Sequence, residues 1–473
     1  AIGTMETPKQ LGFGDISCTL PMEMSKELGM PPVKIAEKIV AALGKLEGIS
    51  KIEIAGPGFI NFTLDSAAVH QALEIGVTRG EKWGRGDSRT GEKIIVEYTD
   101  PNPFKEFHIG HLVTNAIGES IARLFEAAGA DVRRANYQGD VGRHVARALW
   151  GLLQSGESPE DVKALGRAYA AGATADVDGS PVAAEITVLN KKVYERSDPK
   201  IRDLYDRGRA ASLEHFEELY ALLGTKFSFY FFESEAGPFG KGVVQEHIKD
   251  GIFTESKGAI VYEGEKRGLH TRVFLNSEGL PTYEAKELGL AKMKYQKFPY
   301  DTSVIVTGNE IKEYFKVLLA AMSEIFPDLA AKTVHVPHGM MRLEEGKMSS
   351  RTGKVITGES LINDLIEVAN EHAAESRARD KEKLARDVAV AAIKFQILKG
   401  GTNRDIVFDR ERALSVDGDS GPYLQYTHAR TCAILEKAKA AGVEGKFDVK
   451  LEASNLARLA YRFPTTVLHA QGE

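Results

Sequence analysis

Ile94-Ile95-Val96-Glu97-Tyr98, followed by Asp100-Pro101-Asn102-Pro103-Phe104-Lys105-Glu106-Phe107-His108-Ile109-Gly110-His111, is the stretch from which the fold is read. The first five residues form a compact apolar strand. A proline-rich turn follows, and a helix is predicted from His108 through Ala127. Gly129-Ala130 closes it, and Val132 to Tyr137 reads as a second strand. A strand–helix–strand unit of this kind favours a parallel, doubly wound, Rossmann-type sheet in an α/β domain. The helix start presents free N–H groups and a partial positive charge, which suits phosphate. Gly110 lets a nucleotide approach the backbone. His108 and His111 lie three apart, so they share one helix face. A bare H-x-x-H more often caps and packs. Metal ligation is the other option, but no third His, Cys or carboxylate falls at a suitable position, and no metal site is expected.

Three domains are predicted. Residues 1–90 read as an α+β domain. Ile35, Ile39, Val40 and Leu43 fall on one helix face, and Ile52, Ile54 and Phe59-Ile60-Asn61-Phe62 form short strands around a Gly56-Pro57-Gly58 turn. Gly84-Arg85-Gly86-Asp87-Ser88 reads as a linker. Residues 91–364 form the Rossmann-type domain, with a charged helical insertion at about 151–220 that includes a loose tract from Ala170 to Ser180. Strands resume at Phe227–Phe232, Ala259–Tyr262, Thr271–Leu275 and Ser303–Thr307. Residues 365–473 read as all-helical, with helices at Leu384–Leu398, Tyr423–Ala438 and Leu451–Leu468.

The second informative loop is Glu345-Gly346-Lys347-Met348-Ser349-Ser350-Arg351-Thr352-Gly353, far downstream of His111. Its lysine, hydroxyls and backbone donors can follow a triphosphate as it reacts. Alone, such a loop is more often solvated surface. Together the two loops resemble the HIGH and KMSKS motifs of class I aminoacyl-tRNA synthetases. The run Pro101-Asn102 to Lys105 to His108-Ile109-Gly110-His111 is similar to the P-N-x-x-K-x-x-H-x-G-H of the arginyl-tRNA synthetases. The resemblance covers nearly the whole chain. It implies that His108, His111 and Lys347 stabilise charge developing on ATP. It also implies that Gly110, Met348, Ser349, Ser350 and Arg351 line the nucleotide. Ser350 stands where the common motif has its second lysine, and Arg351 offers compensating charge. Glu97 and Asn102 would then hold the amino group and main-chain end of arginine.

Arginine's planar guanidinium needs carboxylate and aromatic partners. Tyr283 and Glu287, four apart on a predicted helix, share a face. Unaided, the pair more often reads as a half-buried core tyrosine and an exposed helix charge. The segment resembles the family's Y-x-x-x-D element, with Glu287 in place of Asp, and the resemblance makes both residues guanidinium ligands. Gly308-Asn309-Glu310 resembles the adenosine-side element, so Gly308 and Asn309 join the ATP set. Ile311 replaces a family Gln, and no side-chain role is expected there. Gly139-Asp140-Val141-Gly142 resembles a family segment near the pocket, which makes Asp140 an arginine-binding candidate; a plain turn residue is the alternative.

The resemblance further implies a D-loop contact through the N-terminal domain and an anticodon-binding role for the helical domain. Phe59, Asn61 and Phe62 are then candidates for base contact, although alternating aromatics on a strand more often pack a core. The family's helical domain runs longer, so the chain reads as C-terminally incomplete. The implied reaction joins L-arginine, ATP with Mg²⁺, and tRNA(Arg). The arginine carboxylate attacks the α-phosphate, and the arginyl group then passes to a 2′-hydroxyl of the terminal adenosine. Bound tRNA is needed even for the first step. Lys+Arg number 61 against 67 Asp+Glu, a net charge of -6, so any RNA surface must be a local patch. Two distant cysteines, the lack of a long apolar run and the lack of a leader predict a cytoplasmic protein without membrane or disulfides. A monomer is expected. The rivals are a class I synthetase for another amino acid, a related nucleotidyltransferase, and a truncated relative that only binds RNA.

Overall fold

The structure is a computed structural model that describes residues 5–8, 10–343, 357–373, 376–446, 448 and 450–472. By internal packing the chain divides into two units. One comprises Ala1–Thr90, Leu124–Ala130 and Ala433–Glu473; the other comprises Gly91–Arg123 and Asp131–Cys432.

The larger unit is built on five parallel strands in the order Thr333–His338, Thr302–Gly308, Lys93–Glu97, Asp131–Gln138, Phe229–Phe232. Ile94, Ile95 and Val96 are fully buried, as a continuous apolar run in a sheet covered on both faces requires. From Lys93–Glu97 the strand order runs outward in both directions. The gap between that strand and Thr302–Gly308 is therefore the topological switch point, where ligands of such sheets bind outside the carboxyl ends. Glu97 and Gly308 mark those ends, and the Ile109–Ala127 helix begins beyond them.

Several predicted elements change identity. Ala259–Tyr262 and Arg272–Leu275 are strands, but with Thr254–Ser256 they form a separate antiparallel sheet. The edge strand Thr333–His338 was not anticipated. Its apolar pattern is broken by histidines and by Pro337, which an edge tolerates. The tract from Ala170 to Ser180 is loose only in its second half: the Val162–Ala175 helix takes in its alanine-rich start, favoured by the high helix propensity of alanine, and a turn follows to Ser180. Four helices, Arg143–Ser155, Val162–Ala175, Pro181–Glu195 and Pro199–Leu222, occupy the insertion.

In the smaller unit four antiparallel strands run Met5–Glu6, Ile16–Cys18, Phe59–Leu64, Ile49–Ala55, with the Gly56-Pro57-Gly58 turn joining the last two. The Pro32–Leu43 helix packs on them around Cys18, Ala36, Ile60 and Phe62. The expected linker is fastened rather than free: Gly86 and Arg89 donate main-chain bonds to Ala127 and Ala128 at 2.8 and 2.9 Å. The expected Leu451–Leu468 helix is two helices, Asn455–Tyr461 and Phe463–Gly472. Ser454 caps the first, and Pro464, in the first turn of the second, cannot continue the helix before it. Among the described residues no helix is long and apolar enough to cross a membrane.

Candidate active site

The connection from Glu97 to His108 is strained. Thr99, Asp100 and Phe104 all adopt left-handed backbone, with φ of 81°, 49° and 67°. Such conformations cost about 1–3 kcal/mol each and persist where surrounding contacts over-determine them. Thr99 Oγ1 accepts from Asn115 Nδ2 at 3.0 Å, Asp100 Oδ1 from the Tyr137 N–H at 2.7 Å, and Ser212 Oγ from the Phe104 N–H at 3.0 Å. The Gly139 N–H donates to Asn102 Oδ1 at 2.9 Å, and a Cβ on Gly139 would lie 2.5 Å from that oxygen.

This folded loop sets the two histidines face to face, with ring centroids 3.5 Å apart. The His108 N–H donates to His111 Nδ1 at 3.1 Å, which leaves the neutral His111 ring with its proton on Nε2, as a donor. Burial, His108 and Lys105 hold His111 well below its usual range. Desolvation and Lys105 lower His108. A Cβ on Gly110 would lie 2.9 Å from the His108 ring. Thr357 pairs with His108 in an antiparallel bridge, and the Gly358 N–H donates to the Phe107 carbonyl at 2.7 Å. The chain that re-emerges after Lys347–Arg351 therefore lies against the histidine loop. Lys347, Met348, Ser349, Ser350 and Arg351 themselves lie outside the described residues.

Beside this loop the Tyr283–Lys297 helix lays Glu287, Leu290 and Lys294 toward the sheet. Lys294 Nζ meets Glu97 Oε2 at 2.7 Å, each side chain 2% exposed. Lys286 meets Glu233 at 2.5 Å, and Arg272 meets Glu284 at 3.5 Å. Glu287 has no such cation among the described residues. Burial and Glu97 push it up to about 8, with Glu233 and Glu284 adding to the rise. The helix start lies at the carboxyl edge of the sheet. Seven residues, about 10 Å of helix axis, separate Glu287 from Lys294. An extended arginine spans about 7 Å from amino group to guanidinium carbon.

The candidate residues divide. Glu97, Asn102, His108, Gly110 and His111 lie along one strand–turn–helix segment, and Gly308 and Asn309 stand at the adjacent strand end. Tyr283 opens the helix that bears Glu287 and is 61% exposed. Asp140 is fully buried; its Oδ2 accepts from Tyr205, Arg209 Nε and Ser234 Oγ and its Oδ1 from the Ser234 N–H, so it is bonded to two later helices. Sequence reasoning missed Lys294, Lys286 and Glu233, whose partners come from distant segments. It also missed the effect of Lys105 on the histidines, although Lys105 lies inside the quoted motif.

Residues 76–410 match the model of tRNA synthetases class I (R), catalytic domain, and residues 3–64 match the arginyl tRNA synthetase N terminal domain. An arginine–tRNA ligase of Treponema denticola is 30% identical over 471 residues, spanning 96% of this chain and 79% of the relative. The chain belongs to the arginyl-tRNA synthetases. A second relative of this synthetase, from Clostridium perfringens, is 30% identical across 92% of the chain and 78% of its own length. The arginyl-tRNA synthetase structure from Thermus thermophilus superposes with a TM-score of 0.72 at 25% identity, covering 99% of this chain and 84% of that one. The Plasmodium falciparum structure shares the fold at 20% identity, with a TM-score of 0.76 over 99% of this chain and 83% of that one. In this arginyl-tRNA synthetase the stacked histidines and Glu287 thus sit on the catalytic fold of the family.

Proposed function

We propose that the chain activates L-arginine with ATP and transfers the arginyl group to tRNA(Arg). The observation that carries this reading is the acidic pocket. Of its glutamates, Glu97, Glu233 and Glu284 each pair with a protein cation and Glu287 pairs with none among the described residues; Asp100 lies in the same cluster, where burial and Glu97 disfavour its ionised form, so the cluster calls for a cation beside the nucleotide loop. Glu97, with one oxygen held by Lys294, receives the α-ammonium together with Asn102. Glu287 receives the guanidinium, and Tyr283 covers it. Asp140 acts by fixing the Gly139 turn against Asn102, as a positioning residue.

The adenylation step is an in-line displacement at the α-phosphate, which needs positioning and charge stabilisation more than a protein nucleophile. His111, neutral and donating through Nε2, and His108 face the phosphates, with Lys105 close enough to add positive charge. Gly308 and Asn309 line the adenosine. Lys347 and Arg351 complete the triphosphate cradle, with Met348, Ser349 and Ser350 beside them. Mg²⁺, entering with ATP, would supply neutralisation of phosphate charge. A cavity of about 470 Å³ in the smaller unit, lined by Phe13, Ser17, Phe59 and Asn61, supports a base contact with tRNA.

The test is amino-acid-dependent ATP–pyrophosphate exchange, with tRNA present, across all twenty amino acids. Arginine alone should drive it. His111→Ala should lower turnover by about 10²–10³-fold, the usual loss when one such donor is removed. Exchange driven by another amino acid, or a fully active His111→Ala, would overturn the reading.

A further inference from the structure

We propose that the hydroxyls of Tyr137 and Tyr314 complete the guanidinium seat that Glu287 begins, and that they set its preference for arginine over lysine. The inference rests on the arginine reading above. It assigns two residues that no motif singled out.

Tyr137 lies two residues beyond Ala135, which pairs in register with Glu97, so strand alternation puts Tyr137 on the same sheet face as Glu97. Its ring packs with Ile95, Phe231 and Leu290, under the helix that carries Glu287. Tyr314 comes from the Lys312–Ile325 helix. The Arg272 guanidinium sits 5.8 Å from its ring, and Arg272 also meets Glu284 on the Glu287 helix. The two tyrosines thus approach the acidic pocket from different elements.

Both hydroxyl oxygens are buried and have no hydrogen-bond partner among the described residues. A buried unpaired hydroxyl is costly and calls for an explanation. Burial, with Glu233 and Glu287 behind it, pushes the Tyr137 hydroxyl up. Burial, with Glu287 first among its neighbours, does the same at Tyr314. Both therefore stay protonated, able to donate to a carboxylate and to accept from the substrate. A guanidinium presents five N–H donors in a rigid fork. Glu287 can take two of them, which leaves others for the two hydroxyls. A lysine ammonium is compact and cannot span three acceptors fixed on three elements.

The experiment uses the full chain carrying Tyr137→Phe or Tyr314→Phe, with Glu287→Gln alongside. Arginylation kinetics give KM for arginine, ATP and tRNA; lysine serves as competitor; melting curves are taken without ligands. Each Phe variant should raise KM for arginine about tenfold or more, as loss of a hydrogen bond to a charged group does. It should leave KM for ATP unchanged and weaken discrimination against lysine. It should also melt at or above the wild-type temperature, because an unpaired buried hydroxyl is removed. Unchanged KM for arginine in both variants, or a lower melting temperature with all three KM values disturbed, overturns the proposal. The Glu287→Gln control separates the failures. If it raises KM while the Phe variants do not, only this inference falls. If it does not raise KM, the arginine pocket itself is misplaced.

Discussion

Among the described residues Glu97, Glu233 and Glu284 each hold a lysine or arginine, and Glu287 pairs with none. The consequence is a carboxyl pushed up to about 8, chiefly by burial and then by Glu97. Its folded value lies above its unfolded one. Its contribution to stability is therefore fully present below about 4.5 and is lost as pH climbs through about 8. Arginine needs the ionised form, so its KM should fall as pH rises from 6.5 toward 8.5, approaching tenfold per unit at the acid end. The rise in melting temperature on adding arginine should likewise be larger at pH 8.5 than at 6.5. Arginylation kinetics measure the first trend and differential scanning fluorimetry with and without arginine the second, and a pH-independent arginine response in both would refute the account. At this scale the sequence was legible where chemistry is local. The His108–His111 pair and the Tyr283–Glu287 spacing can be read from residue order. The partners of Glu97, Glu233 and Glu284 cannot, since Lys294, Lys286 and Arg272 reach them only through tertiary packing. Nor can the donors to Asp140, which come from two other helices.

One element, the Pro199–Leu222 helix, reads from the sequence as part of a charged insertion, and its outer face is just that. Its inner stripe does something composition does not reveal. Tyr205 and Arg209 bond Asp140, Ser212 accepts from the strained Phe104, Phe216 packs on Phe107, and Tyr220 bonds Asn136. Gly208 is required here because a Cβ would meet the Phe104 ring at 2.5 Å. Ser212→Ala removes the acceptor that holds Phe104 at positive φ. We expect turnover in pyrophosphate exchange to drop by about tenfold, with KM for tRNA little changed, on the scale of about 1–3 kcal/mol for a buried N–H left unpaired. The same stripe carries His215, which meets Glu359 at 2.8 Å, two residues past Thr357. The hydrogen bond to Glu359 raises His215 above 6.5. That contact stabilises fully below 6.5 and is lost as pH rises through the folded value. His215→Gln should therefore melt below wild type at pH 6 and converge with it by pH 9; parallel curves across that range would refute the pairing.

For the molecule as a whole, a net charge of -6 gives no general attraction for RNA, so recognition has to be built locally in each unit. The smaller unit shows how residues from opposite ends of the chain make one such body. Asp15, fully buried, accepts from the Leu64 N–H at 2.9 Å and pairs with Arg458. Arg462 donates to the carbonyls of Pro8 and Gly14 at 2.9 and 2.6 Å. Periodicity predicts the N-terminal sheet and the C-terminal helices separately. Their union is invisible in sequence, because it is made by side chains more than four hundred residues apart. Breaking such a buried pair from one side strands a charge and typically costs about 3–5 kcal/mol, whereas replacing both partners costs far less. Arg458→Met should thus destabilise this unit strongly in a denaturant melt, and Asp15→Asn added to it should restore much of the loss. The double-mutant cycle decides the matter. Additive losses would mean that the two residues act independently, and the C-terminal helices would then owe their place to Arg462, the Ala453–Ser66 bond and the packing of Ala453, Ala457 and Tyr461 against Leu64 and Val69.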